Sequence, residues 1–539
     1  MSTLFHNATF YPMTSEGARA EAIAVDDDGI ISFVGSLEET RSRTPDADEI
    51  DLGGAHVLPG FIDPHSHFVG AMQYVLYADL STCASFSDIQ RVIRDFIDER
   101  NVGPDGVVMA TGYDQNALAE GRHPDKTVLD EVSTSIPIMA VHASNHMAVA
   151  NSPLLRLAGI DESTPDPEGG HFGRVGDTLE PDGYAEEPAA MNALYAVTTP
   201  RIAFDPNAIA DDMQLVYLEH GVTTCQDGAT PANMVDMLRA LADNGKLKID
   251  VVAYPMHGED VDAILEKHAD LDGLDYHGHL RIGGLKMFLD GSPQGLTAWM
   301  TEPYSAGPKG EDDWVAYGTM TDEDAAAFAR KAIDSGHQLL CHANGDAASD
   351  QLLRVYATAL DASDNPRKRE LRPVMIHCQT ARADQYDRMA ELGMIPSIFS
   401  SHIWYWGDVH LRNFGPNRGG RISACGDAKR AGLPFTLHTD TPVLRPNLIE
   451  AAWCAVNRVT KNGVQLDEEQ KVSVYDALRA ITANAAYQYG EEDRKGTLEP
   501  GKLADFAVLD RDPFAIDPAD LRNVAVLATI KEGKEVYRK

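Results

Sequence analysis

The middle of the chain alternates apolar runs of strand length with amphipathic helical segments. TDEDAAAFARKAIDSG has a helical pattern, with Thr321 and Asp324 spaced as a capping box, and the apolar run HQLLCHANGD follows it at once. RPVMIHCQ and LPFTLHTDTPV are further apolar runs that end in polar residues. Repeated βα units of this kind bury parallel strands, so the pattern predicts an α/β fold, either a doubly wound sheet or a (β/α)8 barrel.

Both ends of the chain have a different character, with short strand-like runs separated by turns. In residues 1–57, DDDG separates two apolar runs and is typical of a β-hairpin. Residues 486–539 contain similar runs, LADFAVLD and NVAVLATIKEGKEVYRK. We therefore predict one small β-domain built from both termini, residues 1–57 and 486–539, with the α/β region in residues 58–485 between them.

One stretch interrupts the alternation within the α/β region. GIDESTPDPEGGHFGRVGDTLEPDGYAEEP is rich in Gly, Pro and acidic residues and has little periodicity. We interpret it as part of a long insertion or lid within about residues 100–210. Before it, SFSDIQRVIRDFIDER predicts an amphipathic helix, for which Ser87 is the expected N-cap.

Acidic residues far outnumber basic ones, with 83 Asp and Glu against 46 Lys and Arg and a net charge of −37. Such a charge argues against nucleic acid and anionic membranes as partners. No apolar run reaches the ~18 residues of a transmembrane helix, and the N-terminus lacks a signal-peptide pattern. The six cysteines are scattered and typical of reduced thiols. We expect a cytoplasmic homo-oligomer, a dimer, with a small-molecule substrate.

Several of the apolar runs end on residues that can bind a metal. His65 and His67 in GFIDPHSHF share one face of an extended strand, because strand side chains alternate. Alone, such a pair is weak, a lysine in an apolar strand can pair with an acid such as Asp290, and an aspartate can cap a helix. In a parallel barrel, however, active sites form where strand ends meet. The candidate ligands in chain order are His65, His67, Lys286, His342, His377 and Asp440.

With these motifs the chain resembles the amidohydrolase superfamily, in its YtcJ-like branch, which includes N-substituted formamide deformylases (amidohydrolase family 3). The motifs are LPGFIDPHSH, GVTTCQDG, LKMFLDGS, HANGD, IHCQ, TDTPV and GTLEPGKLADFAVLD, and they cover nearly the whole chain. The resemblance implies a (β/α)8 TIM barrel with a composite β-sandwich. This chain differs from the branch's frequent pattern at Thr439 and Ile376, and neither difference removes a ligand.

The resemblance also implies a centre of one or two divalent metals, usually Zn²⁺. In the two-metal form, His65, His67 and Asp440 hold one metal and His342 and His377 the other. Lys286, carbamylated by CO₂, bridges them, because a carbamate turns an amine into a bidentate oxygen ligand. A mononuclear site is the alternative.

The mechanism implied is attack of a metal-activated hydroxide on an amide, formamide or lactam-like carbonyl, with Asp440 as general base and then acid. Lys286 and His342 belong to the same catalytic set. Two alternatives stay open. The same centre could act on an ester, a lactone or a deaminase-type ring carbon, or the chain could be a regulatory protein with a retired site.

Other residues are candidates for substrate binding. His146 matches a substrate-contacting segment of the branch, and Asn344 shares a strand face with His342 and could orient it or the substrate. SHIWYWGDVH is dense in aromatic and polar residues, and if extended it places His402, Trp404 and Trp406 on one face. Together with Trp299 these residues suggest an aromatic-walled pocket, with ordinary loop packing as the alternative.

Overall fold

The computed structural model describes residues 2–115, 117–142, 147–167, 170–202, 204–308 and 310–539. Two compact units divide the chain: one comprises the residues up to Gly70 and those from Ala210 to Lys539, and the other comprises Ala71–Ile209.

The strands in chain order are β1 Thr3–Phe10, β2 Ala22–Val25, β3 Ile31–Gly35, β4 Asp48–Pro59, β5 Phe61–Ile62, β6 Ala78–Asp79, β7 Val108–Tyr113, β8 Ile138–His142, β9 Met147–Ala150, β10 His171–Arg174, β11 Pro181–Glu186, β12 Val222–Thr230, β13 Asp250–Pro255, β14 Leu280–Ile282, β15 Gly284–Phe288, β16 Gln338–Ala343, β17 Val374–His377, β18 Ile395–Ile398, β19 Thr436–Leu437, β20 Phe506–Leu509, β21 Val526–Lys531 and β22 Lys534–Arg538.

The α-helices are α1 Leu37–Arg43, α2 Met72–Leu76, α3 Phe86–Arg100, α4 Lys126–Asp130, α5 Ser152–Ala158, α6 Glu187–Thr198, α7 Pro206–Leu218, α8 Ala232–Asp243, α9 Val261–Lys267, α10 Asp322–Asp334, α11 Asp346–Ala362, α12 Ala383–Leu392, α13 His402–Gly420, α14 Cys425–Arg430, α15 Leu448–Asn457, α16 Val474–Ala480 and α17 Ala483–Gln488. Short 3₁₀ helices span Val69–Ala71, Thr199–Arg201, Glu468–Gln470 and Pro518–Asn523. None of these described helices is long and apolar enough to cross a membrane.

A seven-stranded sheet joins the two ends of the chain, in the order β22-β21-β20-β4-β1-β2-β3. Phe506 of β20 pairs antiparallel with Pro59 of β4, so the C-terminal strands add directly to the N-terminal ones. Phe5 and Phe506 pack edge to face with ring centroids 5.3 Å apart in the buried core of this sheet. The hairpin at DDDG forms between β2 and β3.

The metal-binding candidates lie on a parallel (β/α)8 barrel. Its strands form two sheets, β14-β13-β12-β5 and β15-β16-β17-β18-β19, and β14 and β15 flank Gly283 as one interrupted strand. A bridge between Met256 and Lys286 links the sheets on one side. On the other side the Asp440 N–H donates to the His65 carbonyl at 3.1 Å. The eight strands follow chain order, as expected for repeated βα units.

The second unit, Ala71–Ile209, contains a six-stranded sheet in the order β10-β11-β9-β8-β7-β6. It includes the stretch that we expected to be irregular, of which His171–Arg174 and Pro181–Glu186 instead form an antiparallel hairpin. The unit begins earlier than the expected insertion, because α3 packs Ile89 and Ile93 into its core. The N-cap of α3 is Ser85, which accepts the Asp88 N–H, and the expected cap Ser87 lies inside the helix.

Candidate metal centre

His65, His67 and Asp440 meet where β5 and β19 end. Nε2 of His65 lies 3.4 Å, and Nε2 of His67 3.3 Å, from Oδ1 of Asp440. That carboxylate oxygen is buried and has no hydrogen-bond partner among the described residues. A buried carboxylate oxygen without a partner is costly, so its position between two imidazoles suits a bound cation.

Lys286, His342 and His377 complete the cluster from the neighbouring strands. Nζ of Lys286 lies 3.3 Å from Nε2 of His65, and Nε2 of His377 lies 3.0 Å from Nδ1 of His342. Ligand atoms of His65, His377 and Asp440 all lie within 4.8 Å of one another. The structure thus brings the six candidate ligands together at the carboxyl ends of the barrel strands.

Burial keeps His65, His342 and His377 neutral. It is the main cause that lowers the pKa of His65 and His377 well below the ordinary value and that of His342 to about 4, with nearby positive groups adding to the effect. Neutral imidazoles each offer a lone pair, so these side chains suit a metal.

The pKa values of Lys286 and Asp440 are both lowered, that of Lys286 by burial and that of Asp440 in spite of burial. Burial lowers the pKa of Lys286 to about 8, although Asp440 counteracts it. Burial would raise the pKa of Asp440, but the proximity of His67, His438 and Lys286 outweighs it and lowers that pKa. The aspartate is therefore ionised, while the lysine loses its proton more readily than an exposed lysine.

Two residues of the cluster have left-handed backbone conformations that side chains larger than glycine rarely adopt. The φ angle is 79° at His377 and 56° at Asp440. Such conformations cost free energy and concentrate at functional sites. In β17, Val374 and Ile376 lie in the core cluster with Leu340, so strict alternation would direct His377 to the other face. The left-handed turn is where that alternation ends.

Hydrogen bonds on the far side of the ring fix the proton of His65 and leave both tautomers open to His342. Oε1 of Gln226 lies 2.6 Å from Nδ1 of His65 and can only accept, so His65 carries its proton on Nδ1 and presents Nε2 to the cluster. Nε2 of His342 lies 3.1 Å from the carbonyl of Gly291, an acceptor, and 3.0 Å from Nδ2 of Asn344, a donor, so its proton can lie on either nitrogen. Sequence reasoning missed Gln226, which lies in the motif GVTTCQDG.

Asp290 lies behind His342 and does not pair with Lys286 as an acid partner. Its carboxylate accepts the backbone N–H groups of Trp299, Asn344 and Gly345 at 3.0, 2.9 and 2.7 Å. It lies 3.4 Å from Nε2 of His342, and burial raises its pKa to about 7. Asn344 also contacts His342, with 3.0 Å between Nδ2 and Nε2. The expected second role for Asn344, substrate contact, stays a prediction.

His438 is a further member of the cluster that sequence reasoning missed. Its Nε2 lies 3.1 Å from Nδ1 of His377, and it is fully buried. Burial lowers its pKa to about 3, so it is neutral. Its spacing from Asp440, with one residue between, equals that of His65 and His67, and this is the signal that could have identified it.

The segment SHIWYWGDVH is helical, so the expected extended alternation is wrong. Helix α13 starts at His402, and its 3.6-residue period places His402 beside Trp406, with ring centroids 4.4 Å apart. Phe399 joins this pair to the centre, 4.6 Å from His402 and 5.0 Å from His438 between centroids. Trp404 instead packs against Trp453 at 5.3 Å and under Arg522 at 4.2 Å.

The candidate substrate-binding residue His146 lies outside the described residues. Trp299 is tied to the centre through its backbone N–H on Asp290, and its ring lies over Gly318.

The cluster fits a metal by three observations on its own residues: the Asp440 oxygen without a partner among the described residues, the neutral rings of His65, His342 and His377, and the outward proton of His65. Histidine and carboxylate donors at the strand ends of a parallel barrel are the architecture of metal-dependent hydrolases.

Comparison with known proteins agrees with this class. The model of the amidohydrolase family matches residues 48–537, and the chain belongs to this family. It is 27% identical to the protein YtcJ of Bacillus subtilis (strain 168) over 100% of both chains. It is 28% identical to the N-substituted formamide deformylase of Arthrobacter pascens, over 99% of this chain and 98% of the relative.

A solved structure of an uncharacterized metal-dependent hydrolase from Pyrococcus horikoshii OT3 has the same fold, with a TM-score of 0.76 and 24% identity over 96% of this chain and 99% of that chain. The resemblance to the YtcJ-like and formamide deformylase-like branch is thus confirmed, as is the expected fold class. The chain is a metal-dependent amidohydrolase, an enzyme that acts on carbon–nitrogen bonds.

Proposed function

We propose that the chain hydrolyses an amide, formamide or lactam-like bond of a small substrate that carries an apolar or aromatic group. The observation that carries the proposal is the buried Asp440 oxygen, which has no hydrogen-bond partner in the described part of the chain and lies 3.3 and 3.4 Å from Nε2 of His67 and His65. A hydrolytic centre needs such an ionised group beside the reacting bond.

The centre would hold one or two divalent metals, with zinc as the metal that suits imidazole and carboxylate donors. His65, His67 and Asp440 would hold one and His342 and His377 a second, with the carbamate of Lys286 shared between them. When bound, such a metal polarises a carbonyl oxygen and lowers the pKa of water. A carbamate forms on a neutral amine, and the lowered pKa of Lys286, about 8, supports this role.

Asp440 would move the proton of the reaction. Its lowered pKa keeps it ionised, so its carboxylate can take a proton from the attacking water and pass it to the leaving nitrogen. His65 holds a fixed tautomer through Gln226, so the nitrogen that it presents to the cluster is set before a substrate binds.

An aromatic group beside the centre would accommodate the apolar part of the substrate. Phe399, His402 and Trp406 form a continuous set of rings that reaches His438 and His377, with Phe399 6.0 Å from His377 between centroids. Apolar walls bind such a group and exclude water from the centre. His146 and Trp299 remain proposed substrate contacts from the sequence.

The alternatives are an esterase or lactonase, a deaminase, and a regulatory protein with a retired site. An ester or lactone would react at the same centre, whereas deaminase relatives usually lack the lysine that this chain has at Lys286. A regulator with a retired site would not need to retain all six candidate ligands. The net charge of −37 agrees with a small-molecule substrate. A cytoplasmic location and a homodimer are also part of the proposal, and light scattering tests the homodimer.

The test combines metal analysis with a matched substrate panel. The purified protein should contain about one or two zinc ions per chain and hydrolyse N-benzylformamide faster than benzyl formate, its ester counterpart. A variant with both His65→Ala and His67→Ala, which cannot hold the first metal, is the control. No metal and no turnover would favour the regulator, and preference for the ester would favour the esterase.

A further inference from the structure

His438 lies between a candidate ligand and a buried hydroxyl. Its Nε2 is 3.1 Å from Nδ1 of His377, and its Nδ1 is 2.9 Å from Oγ of Ser397. The three residues lie at the ends of, or within, the adjacent strands β17, β18 and β19, and His438 and Ser397 are both fully buried. In the other direction, Nε2 of His377 is 3.0 Å from Nδ1 of His342. Four side chains thus form one hydrogen-bonded row.

A neutral imidazole has one N–H and one bare nitrogen, so the row has only two consistent directions. In the first, Ser397 donates to Nδ1 of His438, His438 donates from Nε2 to His377, and His377 donates from Nε2 to Nδ1 of His342. This direction satisfies every ring, and the His342 proton on Nε2 faces the Gly291 carbonyl. It leaves His377 with no lone pair toward the cluster.

In the second direction, His377 carries its proton on Nδ1 and donates it to Nε2 of His438. His438 then carries its proton on Nδ1 and donates it to Oγ of Ser397. Each ring still has one proton, so the change is a shift of tautomers with no net gain or loss. Only in this direction does Nε2 of His377 offer a lone pair toward His342. That lone pair can bind a metal, or it can accept from Nδ1 of His342, whose Nε2 then accepts from Nδ2 of Asn344 at 3.0 Å.

His377 differs in this respect from His65. Oε1 of Gln226 can only accept, so it fixes His65 with its proton on Nδ1. His438 can either donate or accept, and Ser397 behind it can do the same. The tautomer of His377 is therefore set by whichever group occupies its cluster side.

We propose that His438, together with Ser397, is a positioning residue that sets the tautomer of His377 and so determines how strongly the centre retains its second metal. The inference rests on the proposed role of His377 as a ligand. Groups behind a metal-binding histidine typically change metal affinity by about 10- to 100-fold. His438 differs from an oxygen acceptor because it accommodates both the loaded and the empty centre without an unpaired N–H.

The first experiment measures zinc affinity by competition with a chromophoric chelator, using zinc alone as the probe. His438→Leu, which cannot accept the His377 proton, should weaken retention of the second zinc by about 10- to 100-fold. His438→Gln places an amide oxygen that can accept it and should restore affinity to within a few-fold of the wild type. Ile376→Val, which trims a neighbouring core side chain without touching the row, is the packing control.

The second experiment reads the tautomer directly in the wild-type protein. Long-range ¹H–¹⁵N spectra of histidine-labelled protein, with His377 assigned from a His377→Gln sample, should show its proton on Nδ1 in the zinc-loaded protein, where it faces Nε2 of His438. This measurement does not depend on the folding of any His438 variant. A His377 proton on Nε2 in the zinc-loaded protein would overturn the proposal.

The role of His377 as a ligand and the role of His438 behind it can be tested separately. If His377→Ala binds the same amount of zinc as the wild type, His377 is not a ligand and the proposed centre is wrong there. If His377→Ala loses the second zinc while His438→Leu and Ser397→Ala retain it with wild-type affinity, the centre stands and the role of His438 is overturned.

Discussion

Nζ of Lys286 lies 3.3 Å from Nε2 of His65, with both side chains buried. A protonated amine at that position would repel a cation held by His65, whereas a neutral amine or its carbamate would not. The pKa of about 8 lowers the cost of removing that proton near neutral pH. The state of Lys286 therefore determines whether a metal can be held next to His65.

Bicarbonate should increase metal retention through Lys286. Protein purified without metal and then incubated with zinc should take up more zinc when bicarbonate is present, because CO₂ converts the neutral amine to an oxygen ligand. Elemental analysis of gel-filtered samples measures the uptake. Lys286→Ala should take up less zinc and should show no response to bicarbonate. An equal response in this variant would contradict a carbamate at residue 286.

Replacement of Asp440 should separate metal binding from turnover. Asp440→Asn keeps an oxygen near His65 and His67 but cannot take a proton. We expect much of the metal to remain, and kcat to fall by about 10²- to 10⁴-fold, the usual contribution of a general base. Steady-state kinetics on the formamide panel, with zinc content measured on the same sample, tests this. A zinc-loaded variant with near-normal kcat would exclude Asp440 as the proton carrier.

The fold class and six side chains of the cluster could be predicted because they follow from local patterns. Alternation of apolar strands and helices predicts a parallel α/β fold, and strand ends converge in such a fold. His65, His67, Lys286 and Asp440 each end or follow an apolar run. The structure brings them together as that rule requires.

The remaining features depend on contacts that no local pattern contains. His377 reaches the cluster through a left-handed backbone of φ 79°, which strand alternation does not anticipate. Gln226 contacts His65 across 161 positions of sequence. The segment at His402 is aromatic enough for a strand, but the structure forms a helix there, and this separates Trp404 from Trp406. Tertiary packing determines all three.

A buried ion cluster away from the metal centre should contribute strongly to stability. Oδ2 of Asp250 lies 2.5 Å from Nζ of Lys495 and 2.8 Å from Nζ of Lys531, and all three side chains are almost fully buried. Asp250→Asn leaves two buried ammonium groups with fewer partners, so the free energy of unfolding should fall by about 3–5 kcal/mol. Urea denaturation measures it, with the exposed Asp275→Asn as the control.

The same cluster predicts an acid-sensitive stability. Burial would raise the pKa of Asp250, but Lys495 and Lys531 outweigh it and hold that pKa well below its ordinary value. A depressed carboxyl pKa stabilises the fold above the unfolded-state pKa of about 4, and that stabilisation is lost as the pH falls below it. The difference in unfolding free energy between wild type and Asp250→Asn should therefore shrink from pH 6 to pH 3. A difference that stays constant would contradict this origin.

Trp404 and Trp406 offer a matched test of the aromatic pocket, because they are two residues apart on one helix and pack on different sides. Trp406 lies 4.4 Å from His402 between centroids and belongs to the rings that reach the centre, whereas Trp404 lies against Trp453. Trp406→Ala should raise KM for N-benzylformamide by about 10-fold or more, in line with the loss of one aromatic contact, and change KM for N-methylformamide little. Trp404→Ala should leave the ratio of the two KM values unchanged. Both variants are compared at equal zinc content, so that the ratio reports the pocket and not the metal. If the two variants shift the ratio equally, the pocket does not lie on the Trp406 side, and the substrate's apolar group must be held by other residues.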